Sequence, residues 1–147
     1  MAIAKIFIVE DDQFLGNLIK RTLEKLDNMD VTHFLTPEDC LKNLHQNPDI
    51  VSIDYNLPGM NGVELLEKIR NYNDSIQCIM VSGQEKLDVV IDTYKKGVVD
   101  YIIKDDNALL NFLNHSQYFK NRTAITKNIG IFISVNNLFF KTFVFLT

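Results

Sequence analysis

The segment DIVSI, residues 49–53, is a short run of mostly apolar, β-branched residues that Asp54 follows directly. Such a run predicts a β-strand, and the lack of regular polar alternation predicts a strand buried on both faces. Four other segments rich in β-branched and aromatic residues read the same way: KIFIV (5–9), DVTHF (30–34), IQCIMV (76–81) and VVDYII (98–103). The sequence therefore predicts five strands.

Helical patterns separate these strands. In the first gap, apolar residues recur at the spacing of one helix face: Leu15, Leu18, Ile19, Leu23 and Leu26. The second helix has an explicit start, because Thr36 is a good N-cap and Pro37 suits the first turn. Glu38 and Asp39 then complement the positive end of the helix dipole.

Three further helices are predicted downstream. The third begins at about Gly62, and the fourth covers about residues 86–95 and ends at Lys95-Lys96-Gly97. The fifth follows the last strand. The apolar residues expected to face inward are Leu65, Leu66 and Ile69 in the third helix, Val89, Val90 and Tyr94 in the fourth, and Leu109, Leu110 and Leu113 in the fifth.

Strand and helix thus alternate five times, which predicts a doubly wound α/β fold with a parallel sheet and five helices. Ligands of such sheets bind outside the carboxyl ends of the strands. The polar residues that follow the strands are Glu10, Asp11 and Asp12, then Asp54, Ser82 and Lys104.

These residues suit one chemistry when brought together. Carboxylates within about 5 Å repel by roughly 3 kcal/mol per pair at an effective dielectric near 20, so the cluster calls for a cation. Oxygen donors without cysteine or histidine favour Mg²⁺, or alternatively Mn²⁺, over zinc. A metal, the Lys104 ammonium and the Ser82 hydroxyl are groups that neutralise a phosphoryl group during transfer.

Four motifs, in order and spacing, resemble the receiver domains of bacterial two-component response regulators, of the chemotaxis-regulator type: IFIVEDD (6–12), IDYNLPGMNG (53–62), IMVSG (79–83) and DYIIKD (100–105). The resemblance covers about residues 3–118 and implies a flavodoxin-like sheet with strand order 2-1-3-4-5. It implies a signalling module rather than a turnover enzyme. A sensor histidine kinase or phosphotransfer protein would phosphorylate it in a Mg²⁺-dependent reaction, and an effector would bind the face of the fourth helix, fifth strand and fifth helix.

The resemblance also implies a role for each site residue. Asp54 would be the phosphoacceptor, with Lys104 and Ser82 as its catalytic, phosphate-binding partners. Tyr101 would be the aromatic switch residue that moves with Ser82. The implied metal ligands are Glu10, Asp11, Asp54 and the backbone carbonyl of Asn56.

The loop after the acceptor also matches the family, since Pro58 fixes φ while Gly59 and Gly62 are expected to allow an unusual backbone turn. Two features depart from the family. Asp105 occupies a position where proline often follows the lysine. The predicted fifth helix carries no charged residue, so the charged dimer contact of one large subfamily is not expected.

Charge and cysteine usage exclude several other classes. Residues 1–106 contain 11 basic and all 19 acidic residues, a net −8, whereas residues 107–147 contain four basic and no acidic residues, a net +4, for a total of −4. The acidic part would repel a phosphate backbone, so no nucleic-acid surface is expected. Cys40 and Cys78 form no zinc or disulfide motif and are expected to pack in the core. The N-terminus does not resemble a signal peptide, and a cytoplasmic location is expected.

We expect a receiver domain at residues 1–120 and a C-terminal tail at 121–147. In the tail, residues 129–135 and 138–146 are apolar and flank Asn136-Asn137, a pattern that suits a β-hairpin. Lys141 and the asparagines interrupt the apolar stretch, which disfavours a membrane span. A truncated linker is the alternative interpretation.

Three other functions compete with the switch. A flavin-binding carrier needs a phosphate-cradling loop after the first strand, where Glu10, Asp11 and Asp12 would repel a phosphate. An aspartyl-phosphate hydrolase usually has a second aspartate two residues after the nucleophile, where Asn56 stands here. A receiver-like interaction scaffold that is not phosphorylated stays an open alternative.

Overall fold

The computed structural model describes residues 3–83 and 86–105, together with the isolated positions Asn111 and Asn114. All of these residues belong to one compact unit. The tail at residues 121–147, with its expected hairpin, lies outside the described residues. Within the described ranges, no helix has the length and apolar character needed to cross a membrane.

A five-stranded parallel sheet forms the centre of the fold. Its strand order is β2-β1-β3-β4-β5, which confirms the predicted flavodoxin-like order. The strands are β1 (Ala4–Val9), β2 (Met29–Phe34), β3 (Ile50–Asp54), β4 (Gln77–Ser82) and β5 (Asp100–Ile103). Each boundary lies within two residues of the predicted one.

The described part of the chain contains four α-helices, each connecting two successive strands. They are α1 (Gln13–Glu24), α2 (Pro37–Asn43), α3 (Gly62–Tyr72) and α4 (Leu87–Lys95), and a 3₁₀ turn at Leu44–Gln46 extends α2. The leucines of the predicted fifth helix lie outside the described residues, although Asn111 and Asn114 are both helical.

The helix starts follow from their capping residues. The Thr36 hydroxyl accepts a hydrogen bond from the Asp39 N–H at 3.2 Å, and Pro37 is the first residue of α2, as predicted. Asp12 caps α1, because its carboxylate accepts the N–H groups of Phe14 at 2.8 Å and Leu15 at 3.0 Å. The third of the strand-end acids therefore stabilises a helix start.

Two parts of the predicted inner faces are wrong. In α1, Ile19 and Leu23 are buried, but Leu18 is 43% exposed, and α1 ends at Glu24, before Leu26. In α4, Tyr94 is 42% exposed, and Thr93 is the buried residue. In each helix, the predicted apolar face was wider than the face that is buried against the sheet.

Apolar side chains cover both faces of the sheet. One cluster fills the space between the strands and helices α2 and α3, and it includes Phe7, Val51, Met80, Leu65, Leu66 and Ile69. Ile6, Ile8 and Ile79 alternate with these residues along the strands and are equally buried. Cys40 and Cys78 lie in the cluster as expected, and burial raises the pKa of both thiols to about 12.

Candidate functional site

Three carboxylates meet where β1 and β3, which are neighbours in the sheet, reach their carboxyl ends. Each of Glu10, Asp11 and Asp54 offers an oxygen within 4.8 Å of the others. Glu10 and Asp54 are buried, with 3% and 5% of their surface exposed, whereas Asp11 is exposed. This cluster of oxygen donors, with one side open to solvent, fits a hard divalent cation such as Mg²⁺.

Lys104 brings the only cation that contacts this cluster within the described residues. Its Nζ lies 2.9 Å from Glu10 Oε2 and 3.0 Å from Asp54 Oδ2, so one ammonium bridges two buried carboxylates. The residue directly follows β5, and its N–H donates to the Ser82 carbonyl at 2.7 Å. The side chain thus reaches past β4 to the end of β3.

Burial and charge act in opposite directions on this pair. Burial raises the pKa of Glu10 above its usual range, although the hydrogen bond from Lys104 opposes that rise. Burial lowers the pKa of Lys104, but its bonds to Glu10 and Asp54 outweigh this and raise the pKa overall. Lys104 therefore stays charged at neutral pH, and it offsets part of the repulsion between the carboxylates.

The loop after β3 holds the proposed acceptor in a fixed position. Asp54 Oδ1 accepts the Asn56 N–H at 3.1 Å, and the Tyr55 N–H donates to the Val81 carbonyl at 3.0 Å. The Gly62 N–H returns to the Tyr55 carbonyl at 3.0 Å. The predicted role of the Asn56 carbonyl as a metal ligand stays a prediction, since the bond seen here is made by its N–H.

The two glycines of this loop have different roles. Gly59 has φ +80°, so it provides the unusual turn that was expected. Gly62 does not have a positive φ, and the expectation of an unusual turn is wrong there. A Cβ at this position would overlap the Asp54 carbonyl oxygen and lie 2.9 Å from the Tyr55 Cα. Gly62 leaves space there because the start of α3 packs directly against the backbone of Asp54 and Tyr55.

Ser82 and Tyr101 lie close together beside this cluster. Ser82 is fully buried at the end of β4, and Tyr101 is half-buried on the neighbouring strand β5. Burial raises the pKa of Tyr101, and a hydrogen bond with the Ser82 side chain opposes that rise. Directly after Lys104, the Asp105 N–H donates to the Ile103 carbonyl at 2.9 Å.

Two contacts near the site were not predicted from the sequence. His33 Nε2 lies 2.8 Å from the Glu10 carbonyl oxygen. The Tyr94 hydroxyl donates to Asp100 Oδ1 at 2.8 Å and accepts the Tyr101 N–H at 3.2 Å. The first contact could have been suspected from the sequence, because His33 is a polar residue near the carboxyl end of β2. No sequence signal indicated the second.

Three large apolar side chains are exposed on one face of α4. Leu87, Ile91 and Tyr94 recur at one-turn spacing and are 61%, 44% and 42% exposed. Residues at i, i+4 and i+7 share one helix face, so they form a continuous strip beside β5.

A family model described as the response regulator receiver domain matches residues 6–114. The transcriptional regulatory protein MalR of Bacillus subtilis is 36% identical over 101 residues, which are 67% of this chain and 43% of MalR. The chemotaxis protein CheY of Listeria monocytogenes is 33% identical over 105 residues, which are 71% of this chain and 88% of CheY. The matched region is thus less than half of MalR and most of CheY.

Solved structures share the fold. A CheY-like receiver domain protein from Methanospirillum hungatei has a TM-score of 0.73 and 27% identity, with 82% of this chain and 96% of that chain aligned. The receiver domain of the Francisella response regulator 1452 has a TM-score of 0.74 and 24% identity, with 82% and 98% aligned.

Proposed function

Because the chain belongs to the response regulator receiver domain family, we propose that it is a phosphoryl-accepting switch that a histidine kinase or phosphotransfer protein phosphorylates on Asp54. The observation that supports this most strongly is the contact of Lys104 with Asp54 inside a cluster of three carboxylates. Structural acids rarely gather in this way, because their repulsion costs several kcal/mol unless a cation accompanies them.

The site is suited to Mg²⁺ or Mn²⁺. Glu10, Asp11 and Asp54 would hold the ion through carboxylate oxygens, and the Asn56 carbonyl would be a further ligand. When bound, such an ion neutralises negative charge on a transferring phosphoryl group.

Asp54 supplies the nucleophile. One carboxylate oxygen forms a bond to phosphorus while the bond from phosphorus to the donor's histidine nitrogen breaks, and that nitrogen leaves with the electron pair. Lys104 lies within hydrogen-bond distance of Asp54 and would donate to the oxygens of the transferred group. The Ser82 hydroxyl, at the neighbouring strand end, would be the second donor.

Phosphorylation would then change a surface. A new dianion on Asp54 gives Ser82 a strong acceptor, and Tyr101, which now bonds to Ser82, would move with it. The Tyr101 N–H donates to the hydroxyl of Tyr94, which belongs to the exposed apolar strip on α4. We propose that an effector binds the face made by α4, β5 and the predicted fifth helix.

This function concerns the domain that we place at residues 1–120, with residues 121–147 as an addition. Its chemistry is self-modification, so it is a signalling module rather than a turnover enzyme. A donor charged from ATP implies the cytoplasm as the location, which is our proposal.

The test is phosphorylation by acetyl phosphate, followed by acid quenching and intact-mass analysis. We expect the wild type to gain one hydroxylamine-labile phosphoryl group in Mg²⁺ and none in EDTA. Asp54→Asn should gain none, and Asp74→Asn, an exposed carboxylate in the loop after α3, should match the wild type. Labelling of Asp54→Asn at the wild-type rate would contradict the acceptor assignment. A wild type that is never labelled would favour the unphosphorylated scaffold instead.

A further inference from the structure

The backbone of Glu10 is tied to the end of β2 on both sides. Its N–H donates to the Phe34 carbonyl at 3.1 Å, and its carbonyl accepts from His33 Nε2 at 2.8 Å. A carbonyl oxygen can only accept, so Nε2 is the donor in this bond. The first bond continues the ladder between β1 and β2, whereas the second depends on a side chain.

The second bond fixes the direction of the chain at the cluster. The Glu10 carbonyl belongs to the rigid peptide plane that leads to Asp11. If that plane rotates about the Cα–C bond of Glu10, the Cα of Asp11 moves. The Asp11 carboxylate then moves away from Glu10 and Asp54. The proximity of these three groups, within 4.8 Å, therefore depends on how the carbonyl is held.

Gly16 makes room for the imidazole. It is the fourth residue of α1 and is buried, and a Cβ there would overlap His33 Nε2 and Cε1 and lie 2.7 Å from Cδ2. A glycine inside a helix costs about 1 kcal/mol relative to alanine. Its presence is explained by the ring that rests directly on the helix backbone. The Gly16 N–H also bonds to the Asp12 carbonyl at 2.9 Å, so helix, ring and acidic turn form one packed unit.

We propose that His33 is a positioning residue for the metal site: seated against Gly16, its imidazole holds the Glu10–Asp11 peptide in the orientation that brings both carboxylates to Asp54. The residue touches neither metal nor phosphoryl group and acts through Glu10. The inference rests on the proposed Mg²⁺-dependent function and deepens it by naming what orders the ligands.

The test measures Mg²⁺ affinity by calorimetry on the full chain. His33→Phe keeps a ring but removes the donor, and we expect it to weaken Mg²⁺ binding by about tenfold, the lower end of the range for outer-sphere partners. His33→Gln restores an N–H donor at a similar reach and should recover affinity to within about threefold of the wild type. The matched control is His45→Phe, since His45 Nδ1 also bonds a carbonyl, that of Lys42, at 2.8 Å, but lies before β3, away from the carboxyl ends of the strands.

A second experiment covers the case in which His33→Phe does not fold. Gly16→Ala should weaken Mg²⁺ binding in the wild type, because the new methyl group displaces the ring. In a His33→Ala background the same change should leave Mg²⁺ affinity unaltered, because the ring is gone. Equal effects in both backgrounds would overturn the proposal.

The outcomes of these experiments distinguish failure of this inference from failure of the proposed phosphorylation switch. If the wild type binds Mg²⁺ and His33→Phe binds it equally well, the role of His33 is overturned, but the phosphorylation switch stands. A wild type that binds no Mg²⁺ would overturn the proposed function, and the role of His33 with it.

Discussion

Replacing Lys104 with methionine would remove the cation that bridges Glu10 and Asp54 while keeping most of the side chain's length. These carboxylates present oxygens within 4.8 Å of each other, and at an effective dielectric near 20 they repel by about 3.5 kcal/mol. Protonating Glu10 would relieve this repulsion, but at neutral pH it costs roughly 3 kcal/mol relative to the unfolded chain, in which the carboxyl group has its ordinary pKa of 4.5. Because 26% of the Lys104 side chain is exposed, we expect a somewhat smaller loss, about 2 to 3 kcal/mol of unfolding free energy.

The loss should depend on pH. Burial already raises the pKa of Glu10, and removing Lys104, which lowers it, would raise it further. A carboxyl group with a raised folded-state pKa stabilises the fold when protonated, and that contribution disappears as pH rises through the folded-state pKa. The defect of Lys104→Met should therefore be large at neutral pH and small near pH 5. Mg²⁺ should reduce the neutral-pH defect, because it binds the folded cluster.

Urea unfolding followed by circular dichroism measures this directly, at both pH values, with and without Mg²⁺. The control is Lys42→Met, which breaks an exposed pair with Asp39 at 3.1 Å, with side chains 74% and 54% exposed. We expect less than about 0.5 kcal/mol from the control. If Lys104→Met changes the unfolding free energy equally little, or equally at both pH values, the electrostatic account of the cluster is refuted.

Gly62→Ala should lower the unfolding free energy by about 2 kcal/mol in urea melts, because its Cβ would overlap the backbone of Asp54. Gly83→Ala should cost far less, since its Cβ meets nothing described within 4 Å. Tyr94→Phe should cost about 1 kcal/mol by the same measurement through the lost hydroxyl bonds. Beryllofluoride should shift amide NMR signals of α4 and β5, and unchanged spectra would contradict the switch. Deleting residues 122–147 should leave Mg²⁺ binding and acetyl phosphate labelling intact, and their loss would move the domain boundary.

Most of the fold was predictable because its signals are local. The β-branched runs marked every strand to within two residues, and Thr36 with Pro37 marked a helix start whose bond is present at 3.2 Å. The strand ends likewise indicated which acids, hydroxyl and lysine would gather. The rule that parallel strands end at one edge is sufficient for that prediction.

The errors concern contacts between segments distant in sequence. The spacing of leucines along a helix does not reveal how many of them the sheet will bury. Leu18 was therefore expected to be buried, but it is 43% exposed. The sequence does not reveal whether a loop glycine is needed for an unusual φ or for the space that a Cβ would fill, and at Gly62 it is the space. The contact between His33 and Gly16 joins β2 to α1. It could be recognised only once the positions of the strand and the helix in the fold were known.

The two fully buried cysteines can report how often the folded core opens, because their labelling by a thiol reagent depends on opening. Burial raises both thiol pKa values to about 12, so reactive thiolate is scarce in the folded state, and both side chains are buried away from solvent-borne reagents. When opening is fast relative to labelling, the trapping rate of Cys40 and Cys78 follows the population of opened molecules. A cation that binds the acidic end of the folded sheet should therefore slow the labelling of both native cysteines, and no cysteine has to be introduced for the measurement.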